Sequence, residues 1–410
     1  LARISGYEIK EVSNHGYSSF FIQDSFLEAE RRVLIPPDTG ICSECMQELL
    51  EPGDRRHSYP FINCTNCGPR FTLIQGMPYD RHFTTMKEFI MCDRCQDEYT
   101  NPLDRRFHAQ PNCCSDCGPD LRCVDSSGRI INEELSSLLM AGKILAVKGL
   151  GGFHLVCNAL DAAAVDLLRK SKDRDGKPFA VMAVDLSTIR EYCNLSTREE
   201  EWLISPARPI VVLDIKPEVK VSLPEAISPG LDTLGVMLPY TPLHRLLFSE
   251  KIKLLVVTSA NASDNPLIIS NQESLEKLRD MADYFVLHNR DIENPCDDSV
   301  GSVIEERWQF IRRARGYVPL PVQVNRKSLK PILACGGNLK NVFALGMDSE
   351  VFLSQHLGDM DNYLNFEIYK KTIAKMMELL EIEPKIIVHD LHPDYSSTHY
   401  ATGFAAARGL

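Results

Sequence analysis

The sequence has 410 residues, and this length predicts two to four domains, each with enough apolar residues for a core. Hydrophobic residues make up 44% and charged residues 25%, as in an ordinary globular protein, and we expect neither a signal peptide nor a membrane span, since no apolar run approaches ~20 residues. The net charge of −11 argues against a nucleic-acid partner, because phosphate binding needs a basic excess. Since the chain begins with Leu1 rather than Met, we expect a further N-terminal piece.

Residues 1–35 alternate apolar and polar side chains, and this lead-in segment predicts one or two strands before Pro36 and Pro37. Residues 36–125 then contain four Cys-x2-Cys pairs, with eighteen residues between the first and second pairs and again between the third and fourth. The whole unit recurs after fifty residues, which indicates an internal duplication. The paired cysteines are Cys42 and Cys45, Cys64 and Cys67, Cys92 and Cys95, and Cys114 and Cys117.

Each copy fits the spacing of a four-thiolate zinc site, since two such pairs can direct four sulfurs at one tetrahedral metal. Four thiolates leave no open position, so we predict two structural zinc ions rather than a catalytic one. The spacing permits ligation within or between the copies, and we favour ligation within each copy. Disulfides are the competing interpretation, which we do not favour for so compact an array. Cys113 and Cys123 remain as spare thiols, and the reduced thiols predict a cytoplasmic protein.

Residues 126–325 predict an α/β domain in which short apolar runs alternate with helices. Strands are predicted at 144–147, 179–184, 210–213 and 254–257, and helices at 161–170, 197–204, 242–248 and 272–281.

Residues 326–410 predict a further α/β domain, which we expect to be cut short because ~80 residues are few for such a fold. A strand should start at 331 and enter a glycine turn at 336–337. Hairpin strands are predicted at 341–345 and 351–354, followed by a helix at 363–380 and a strand at 385–389.

Polar residues follow several predicted strands of the middle domain, where α/β sheets bind their ligands. They offer cations for a polyanion, hydroxyl and amide groups, and glycines for close backbone approach, which together predict a nucleotide pocket. Plain tight turns and solvated basic loops are the structural alternatives. Neither a Walker A motif nor a G-x-G-x-x-G fingerprint is present. The candidate residues are Lys148, His154, Lys172, Arg174, Ser259, Asn261, Arg312 and Arg315.

Some of these motifs resemble the YrdC/Sua-type fold, whose members make carbamoyl- or threonylcarbamoyl-adenylate from ATP. The similarity lies in Lys172-x-Arg174, in Ser259-x-Asn261 and in the Arg-Gly-Tyr-Val-Pro segment at 315–319. With the doubled cysteine array before it, the chain resembles the HypF family over essentially its whole length. Further matches to HypF lie at 148–155 and 177–182, and, at the start of its carbamoyl-transfer domain of actin/sugar-kinase (ASKHA) type, at 339–341 and 389–395.

The resemblance implies an α/β multidomain protein: a small duplicated zinc module with four cysteines per site, a YrdC-like domain with a twisted open sheet, and a partial ASKHA-type domain. It implies an ATP-dependent carbamoyltransferase of [NiFe]-hydrogenase maturation. Carbamate, derived from carbamoyl phosphate, would react with ATP and magnesium to give carbamoyl-adenylate and pyrophosphate. The carbamoyl group would pass to the C-terminal Cys of HypE on the way to the cyanide ligands of the hydrogenase iron. The N-terminal acylphosphatase domain of that family and its His-rich metal motif are absent from this sequence.

By the same resemblance Lys172 and Arg174 would be catalytic and would hold the carbamoyl and α-phosphate end of the adenylate with Ser259 and Asn261. The other members of the implied site are Arg312 and Arg315, which would contact phosphates, and Lys148 and His154, which would line the pocket. Two alternatives stay open: a zinc-containing RNA-binding or tRNA-modification protein that makes threonylcarbamoyl-adenylate, and an interaction scaffold.

Overall fold

The structure is a computed structural model that describes most of the chain from residue 34 onwards. The described residues are Ile9, Glu11, Gly16 and 34–410, apart from 175, 262–264 and the side chain of Leu329. The strands predicted in the lead-in segment fall almost wholly outside these residues. None of the helices in the described part combines the length and the apolar character that a bilayer span requires.

The zinc module contains one eight-residue helix in each copy, α1 (Ser43–Leu50) and α2 (Asp93–Thr100). Each helix begins directly after the first cysteine of its copy, and the Cys42 sulfur accepts a hydrogen bond from the Cys45 N–H at 3.5 Å. Between α1 and α2 the chain forms short 3-10 helices at Phe71–Leu73, Arg81–Phe83 and Thr85–Glu88. The apolar core here is small, and cysteines make up much of it. So small an apolar core is typical of modules that a bound metal stabilises.

The α/β domain is built on one ten-stranded mixed sheet with the order β1-β8-β2-β3-β7-β4-β6-β5-β9-β10. The pairs β2/β8, β4/β6 and β5/β9 are parallel, and the other neighbours are antiparallel. The strands are β1 (Leu121–Asp125), β2 (Leu145–Lys148), β3 (Phe153–Asn158), β4 (Ala180–Ala183), β5 (Ile210–Asp214), β6 (Thr233–Met237), β7 (Leu254–Ser259), β8 (Tyr284–His288), β9 (Val300–Ile304) and β10 (Arg307–Arg312).

Helices cover both faces of this sheet, and each face has its own apolar core. Ala146 packs in one core and Val147 in the other, because successive strand residues point to opposite faces. The four predicted strands and four predicted helices are confirmed, with ends shifted by a few residues. The helices are α3 (Leu135–Met140), α4 (Ala162–Ser171), α5 (Leu186–Tyr192), α6 (Thr197–Ile204), α7 (Pro242–Leu246) and α8 (Asn271–Lys277), with 3-10 helices at Lys220–Ser222 and Glu225–Ile227.

The twist of the sheet brings distant strands together. Four strands separate β3 from β9 in the sheet, yet His154 on β3 lies 3.5 Å from the carboxylate of Asp298, two residues before the start of β9. Such a contact requires the strong twist and coiling that accumulate along a sheet of many strands. The end of β2, the start of β3, the end of β7 and the start of β4 share one edge, where several candidate residues lie.

The last segment forms a three-stranded sheet with the order β12-β11-β13 and two helices. The prediction of two hairpin strands at 341–345 and 351–354 was wrong, because β12 is one continuous strand that pairs antiparallel with β11. Asp348 has a φ of +54°, and the register shifts there, so the turn-favouring residues bend the strand instead of ending it. The elements are β11 (Pro321–Ala334), β12 (Ala344–Leu353), α9 (Tyr363–Leu380), β13 (Ile386–Val388) and α10 (Ser396–Arg408).

The three predicted regions pack together. Phe71 and Ile74 of the zinc module lie in the same apolar core as Leu333 and Tyr369 of the last segment. Since β11 runs through the predicted boundary at 325–326, that division of the chain stays a prediction.

Candidate metal centres and nucleotide site

Eight cysteines of the duplicated module lie in two groups of four, and each group belongs to one copy. In the first group the sulfurs of Cys42 and Cys64 are 3.7 Å apart, and those of Cys45 and Cys67 are 3.5 Å apart. A regular tetrahedron with Zn–S bonds of ~2.3 Å has edges of about 3.8 Å. All fourteen cysteines are free thiols. The donor set and its spacing therefore fit two structural zinc ions.

The second group is built in the same way around Cys92, Cys95, Cys114 and Cys117. The sulfur of Cys114 lies 3.8 Å from that of Cys92 and 3.9 Å from that of Cys117. Cys113 lies outside the group, buried in an apolar core, where burial raises the pKa of its thiol. The two spare thiols of the sequence, Cys113 and Cys123, are therefore outside both groups.

Each copy sends an arginine to the metal site of the other copy. Arg55 in the first copy donates a hydrogen bond to the Cys95 sulfur at 3.2 Å, and Arg105 in the second copy donates one to the Cys45 sulfur at 3.1 Å. A zinc ion with four thiolates carries a net charge of −2, so these guanidinium groups offset part of that charge. Partners of this kind orient metal ligands and tune the metal.

The arginine that follows each of these residues forms an ion pair with a glutamate of the other copy. Arg56 is almost wholly buried and forms a two-pronged ion pair with Glu98 of the second copy at 2.5 and 3.0 Å. Arg106 forms the equivalent pair with Glu48 of the first copy. Burial alone would raise the pKa of Glu98, but Arg56 and the other arginines nearby lower it to about 2. The two copies therefore interlock through charged contacts.

The candidate nucleotide site is centred on two cations that follow α4. Lys172 is 4% exposed, and its ammonium donates to the backbone carbonyls of Ser259 and Asn261 at 2.7 and 2.6 Å. Arg174 donates to the Thr258 hydroxyl at 3.3 Å and to the Pro178 carbonyl at 2.8 Å. Among the described residues, no carboxylate forms an ion pair with either cation. The structure thus brings the loop after α4 against the end of β7.

The charge of both cations is only weakly offset. Burial lowers the pKa of Lys172 to about 7, with further lowering by the positive charges of Arg174 and Lys177 and a small opposing effect of Asp297. Burial likewise lowers the pKa of Arg174 to about 10. A bound anion would favour the charged form of both groups.

Ser259, Asn261 and Arg312 belong to the same region. The Ser259 hydroxyl donates to the Asn261 side-chain oxygen at 2.8 Å, which shapes the turn after β7. Arg312, at the end of β10, forms an ion pair with Asp297 and lowers the pKa of Arg174 by its charge. These groups surround the two cations with hydroxyl, amide and guanidinium donors.

Three other predicted residues lie apart from the Lys172 contacts. Arg315 is 1% exposed and donates to Asp298 at 2.6 Å and to the carbonyls of Ala207 and Arg208. His154 faces the same Asp298. Lys148 donates to the backbone carbonyl of His288 at 3.1 Å, at the edge of a separate cavity. Their predicted contact with the nucleotide stays a prediction, and the internal hydrogen bonds of Arg315 argue against it.

Sequence reasoning missed several groups of this region. Asp297 and Asp298 anchor Arg312 and Arg315, and the adjacent acidic pair before a strand was the available signal. His356 comes from the last segment, and burial and the charge of Arg312 lower its pKa. The amide of Gln355 also donates to the Pro295 carbonyl at 3.0 Å. No spacing in the sequence connects these two residues with the middle domain.

Three family models match the chain. The "HypF finger" model matches residues 41–74 and 91–124, and the "HypF Kae1-like domain" model matches residues 327–409. The Sua5/YciO/YrdC model, described as "Telomere recombination", matches residues 137–314.

Curated relatives match nearly the whole chain. "Carbamoyltransferase HypF" of Synechocystis sp. is 46% identical over 399 residues, which are 96% of this chain and 52% of the relative. The protein of the same name from Rhizobium leguminosarum bv. viciae is 44% identical, over 98% of this chain and 52% of the relative. "Probable carbamoyltransferase HypF" of Methanocaldococcus jannaschii is 42% identical, over 98% and 53%. The chain spans about half the length of the curated relatives it matches.

Two solved structures share the fold. Full-length HypF in a phosphate- and nucleotide-bound form is 49% identical, with a TM-score of 0.86 over 90% of this chain and 49% of that chain. HypF of T. kodakarensis is 43% identical, with a TM-score of 0.88 over 92% and 50%. These findings confirm the predicted fold class and do not favour the RNA-binding alternative. With two HypF domain types, a YrdC-like domain and relatives at this identity over nearly all of its residues, the chain belongs to the HypF family.

Proposed function

We propose that this chain carries the adenylate-forming part of an ATP-dependent carbamoyltransferase. The relatives that it matches are named carbamoyltransferases, and it spans about half of their length. The observation that carries the proposal is the pair of the buried Lys172 and the half-buried Arg174, which have no carboxylate partner in the described residues and donate to neutral oxygen acceptors. Such a site is stabilised by a polyanion, and ATP supplies one.

In the proposed reaction an oxygen of carbamate attacks the α-phosphorus of ATP. The bond between the α-phosphorus and the bridging oxygen breaks, and pyrophosphate leaves with the electron pair, so carbamoyl-adenylate forms. Lys172 and Arg174 stabilise the charge that develops at the α-phosphate, and the Ser259 and Asn261 side chains orient the carbamoyl end. Arg312 then contacts the leaving pyrophosphate. Because catalysis of this kind depends on positioning and charge, a preformed cationic site suits it.

Magnesium would enter with the phosphates of ATP. In the part of the chain that the structure describes, the groups of three or more potential metal ligands are the two cysteine sets. Magnesium binds through one or two carboxylates plus substrate phosphates and keeps several waters, so no all-protein site is needed. Asp297 is the acidic residue whose charge acts on the pKa of both Lys172 and Arg174, and it forms an ion pair with Arg312.

The proposed later steps use the rest of the protein. A thiolate of the acceptor, which we infer to be the C-terminal Cys of HypE, attacks the carbamoyl carbon, and AMP leaves. The product would serve the cyanide ligands of a [NiFe] hydrogenase. Reduced zinc thiolates accord with a cytoplasmic location. Arg315, held by Asp298, would position β9 and β10 rather than contact phosphate, and His154 would do the same through Asp298.

ATP–pyrophosphate exchange with freshly supplied carbamate tests this proposal. The chain should catalyse carbamate-dependent exchange, Lys172→Met should abolish it, and the exposed-site control Lys251→Met should leave it unchanged. Arg174→Lys should lose at least ~10-fold, because an ammonium cannot reproduce the planar guanidinium contacts. If the chain binds ATP but shows no exchange with carbamate, the assignment of adenylation to it is wrong.

A further inference from the structure

A cavity of about 30 Å³ lies between the zinc module and the α/β domain, separate from the contacts of Lys172. Phe61 and Gly68 line it from the zinc module, and Lys148, Tyr240 and Arg290 line it from the α/β domain. The wall is mainly apolar, and among its described lining residues there is no aspartate or glutamate. The fully charged groups that reach this cavity are therefore positive.

Two of the polar lining groups are deeply buried cations. Lys148 is 2% exposed and Arg290 is 6% exposed. The Lys148 ammonium donates to the His288 carbonyl, and the Arg290 guanidinium stacks over the Phe61 ring at 5.0 Å. Within the described part of the chain, the Arg290 side chain has neither a hydrogen bond nor an ion pair.

The imidazole of His288 adds an unsatisfied group. His288 lines the same cavity, and its buried Nδ1 has no hydrogen-bond partner among the described residues. Burying a cation without an opposite charge is unfavourable, and a buried polar atom without a partner is unfavourable as well. Among the other buried arginines of the described residues, Arg56, Arg106 and Arg315 each pair with a carboxylate, and Arg70 donates to backbone carbonyls. Arg290 differs from all four because its guanidinium has neither kind of partner.

The pKa shifts of Lys148 and Arg290 agree with a site in which a bound anion would be stabilising. Burial lowers the pKa of Lys148 to about 8, the charge of Arg290 lowers it further, and Asp291 acts weakly in the other direction. Burial also lowers the pKa of Arg290, with a smaller opposing effect of Cys113, Tyr59 and Asp38. An anion in the cavity would favour the charged form of both side chains.

We propose that this cavity binds a small carboxylate-type oxyanion, held between Lys148 and Arg290 with the Phe61 ring as one wall. A water needs ~10–15 Å³ of such space, so the cavity holds about two or three atoms of that size. Formate has three heavy atoms and matches this size, bicarbonate and carbamate have four and lie at its upper limit, and pyrophosphate and nucleotides are excluded. A planar guanidinium beside an ammonium is the donor arrangement that suits a planar carboxylate.

The identity of the physiological anion rests on the proposed function, in which carbamate is the carboxylate substrate. Tyr240 connects the two regions, because its ring lines the cavity and its hydroxyl lies 3.4 Å from Asp298, the residue after Asp297. The cavity would then hold carbamate next to the adenylation site before it reacts.

Binding of ¹³C-formate, followed by line broadening in ¹³C NMR, tests the anion site without any enzymatic turnover. The wild-type chain should bind formate saturably with a dissociation constant of about 1 mM, near the limit for three heavy atoms. Lys148→Met should weaken binding at least ~10-fold, while Lys251→Met should not. Sodium chloride at equal ionic strength controls for unspecific screening.

Two further variants keep the test decisive if Lys148→Met is poorly folded, which zinc content and circular dichroism report. Leu150→Phe would fill the cavity without a change of charge and should also abolish formate binding. Lys172→Met should leave formate binding unchanged but weaken pyrophosphate binding. The proposal is overturned if formate does not saturate up to ~30 mM, or if Lys172→Met abolishes its binding and Lys148→Met does not. A chain that binds formate but shows no pyrophosphate exchange would contradict the proposed function alone.

Discussion

The buried cations of the zinc module and those of the candidate nucleotide site differ in what neutralises them. In the zinc module Arg56 pairs with Glu98, and Arg55 reaches both Glu98 and the Cys95 sulfur. In the nucleotide site Lys172 and Arg174 donate only to carbonyl and hydroxyl oxygens of the described residues. The same kinds of side chain, buried to similar degrees, thus have anionic partners in the zinc module and neutral partners in the nucleotide site.

The pKa shifts express this difference. Burial by itself would lower the pKa of Arg55 and Arg56, but the Cys95 sulfur together with Glu98 raises that of Arg55, and Glu98 raises that of Arg56, above the usual value. Burial lowers the pKa of Lys172 and Arg174, and no equivalent anion reverses the effect. A cation with an internal anion stabilises the fold, whereas a cation without one favours a bound anion.

The largest expected effect comes from removing the metals. Cys45→Ser and Cys95→Ser should each reduce bound zinc from two ions to one, because each deletes one of four thiolates. Chelation of both ions should unfold residues 42–117, since structural zinc contributes ~10 kcal/mol or more to such modules. Zinc analysis and limited proteolysis measure the two effects.

Cys123→Ser is the matched control, because Cys123 lies outside both cysteine groups and the variant should keep two zinc ions. Unchanged protease resistance of residues 42–117 after complete metal removal would contradict a structural role for zinc.

Arg56→Met tests the paired cations. The substitution leaves the half-buried Glu98 carboxylate without its main partner, although Arg55 remains at 2.9 Å, and we expect a loss of ~1–3 kcal/mol in the free energy of unfolding. ATP binding should remain, because Arg56 contacts the zinc module only. Denaturant unfolding and calorimetric ATP titration provide the two readouts. The exposed Lys87→Met of the same module is the control, and equal stability of the two variants would show that the pair contributes little.

Lys172→Met tests the cations without a carboxylate partner in the described residues. It should change the free energy of unfolding in the direction opposite to Arg56→Met. Removing a buried charge that lacks an anion should raise the free energy of unfolding by ~1–3 kcal/mol, while ATP affinity falls ~100-fold. The folded-state pKa of about 7 lies below the ordinary lysine value, so the cost of burying the charge is complete below pH 7. The gain in stability should therefore be largest below pH 7 and shrink as the pH rises.

Thermal unfolding at pH 6 and pH 9 checks this trend, with Lys251→Met as the control. A Lys172→Met variant that is less stable than the parent at pH 6 would show that the ammonium stabilises the fold through its carbonyl contacts.

The smallest expected effect is the pH dependence of ATP affinity. An anion binds better to the protonated form of Lys172, so affinity should fall as the pH rises above about 7, by at most ~10-fold per pH unit. Calorimetric titration from pH 6.5 to 8.5 measures the slope. Lys172→Arg stays charged throughout and corrects for the titration of ATP itself. Parallel slopes for the parent and this variant would exclude Lys172 as the titrating group.

Local patterns explain what could be predicted. The cysteine spacing predicted both metal sites, and the apolar period predicted α9 over the residues that it occupies. The hairpin predicted at 341–354 failed because pairing with β11 outweighed the turn preference of residues 346–350. Lys172 and Arg174 were found through motif resemblance, but their lack of an anionic partner is visible only once β7 is packed against the loop after α4.

The sequence by itself predicted the eight metal-binding cysteines, since residues close in the chain form each Cys-x2-Cys knuckle and its helix start, whereas the structure showed that each group of four belongs to one copy. It also predicted that the middle domain is an α/β domain with cationic, hydroxyl and amide side chains after its strands. Only the tertiary structure decided which charges meet: Arg55 with Cys95, Arg105 with Cys45, and His154 with Asp298. These contacts join residues far apart in the chain, and they depend on the exchange between the duplicated copies and on the coiling of a ten-stranded sheet.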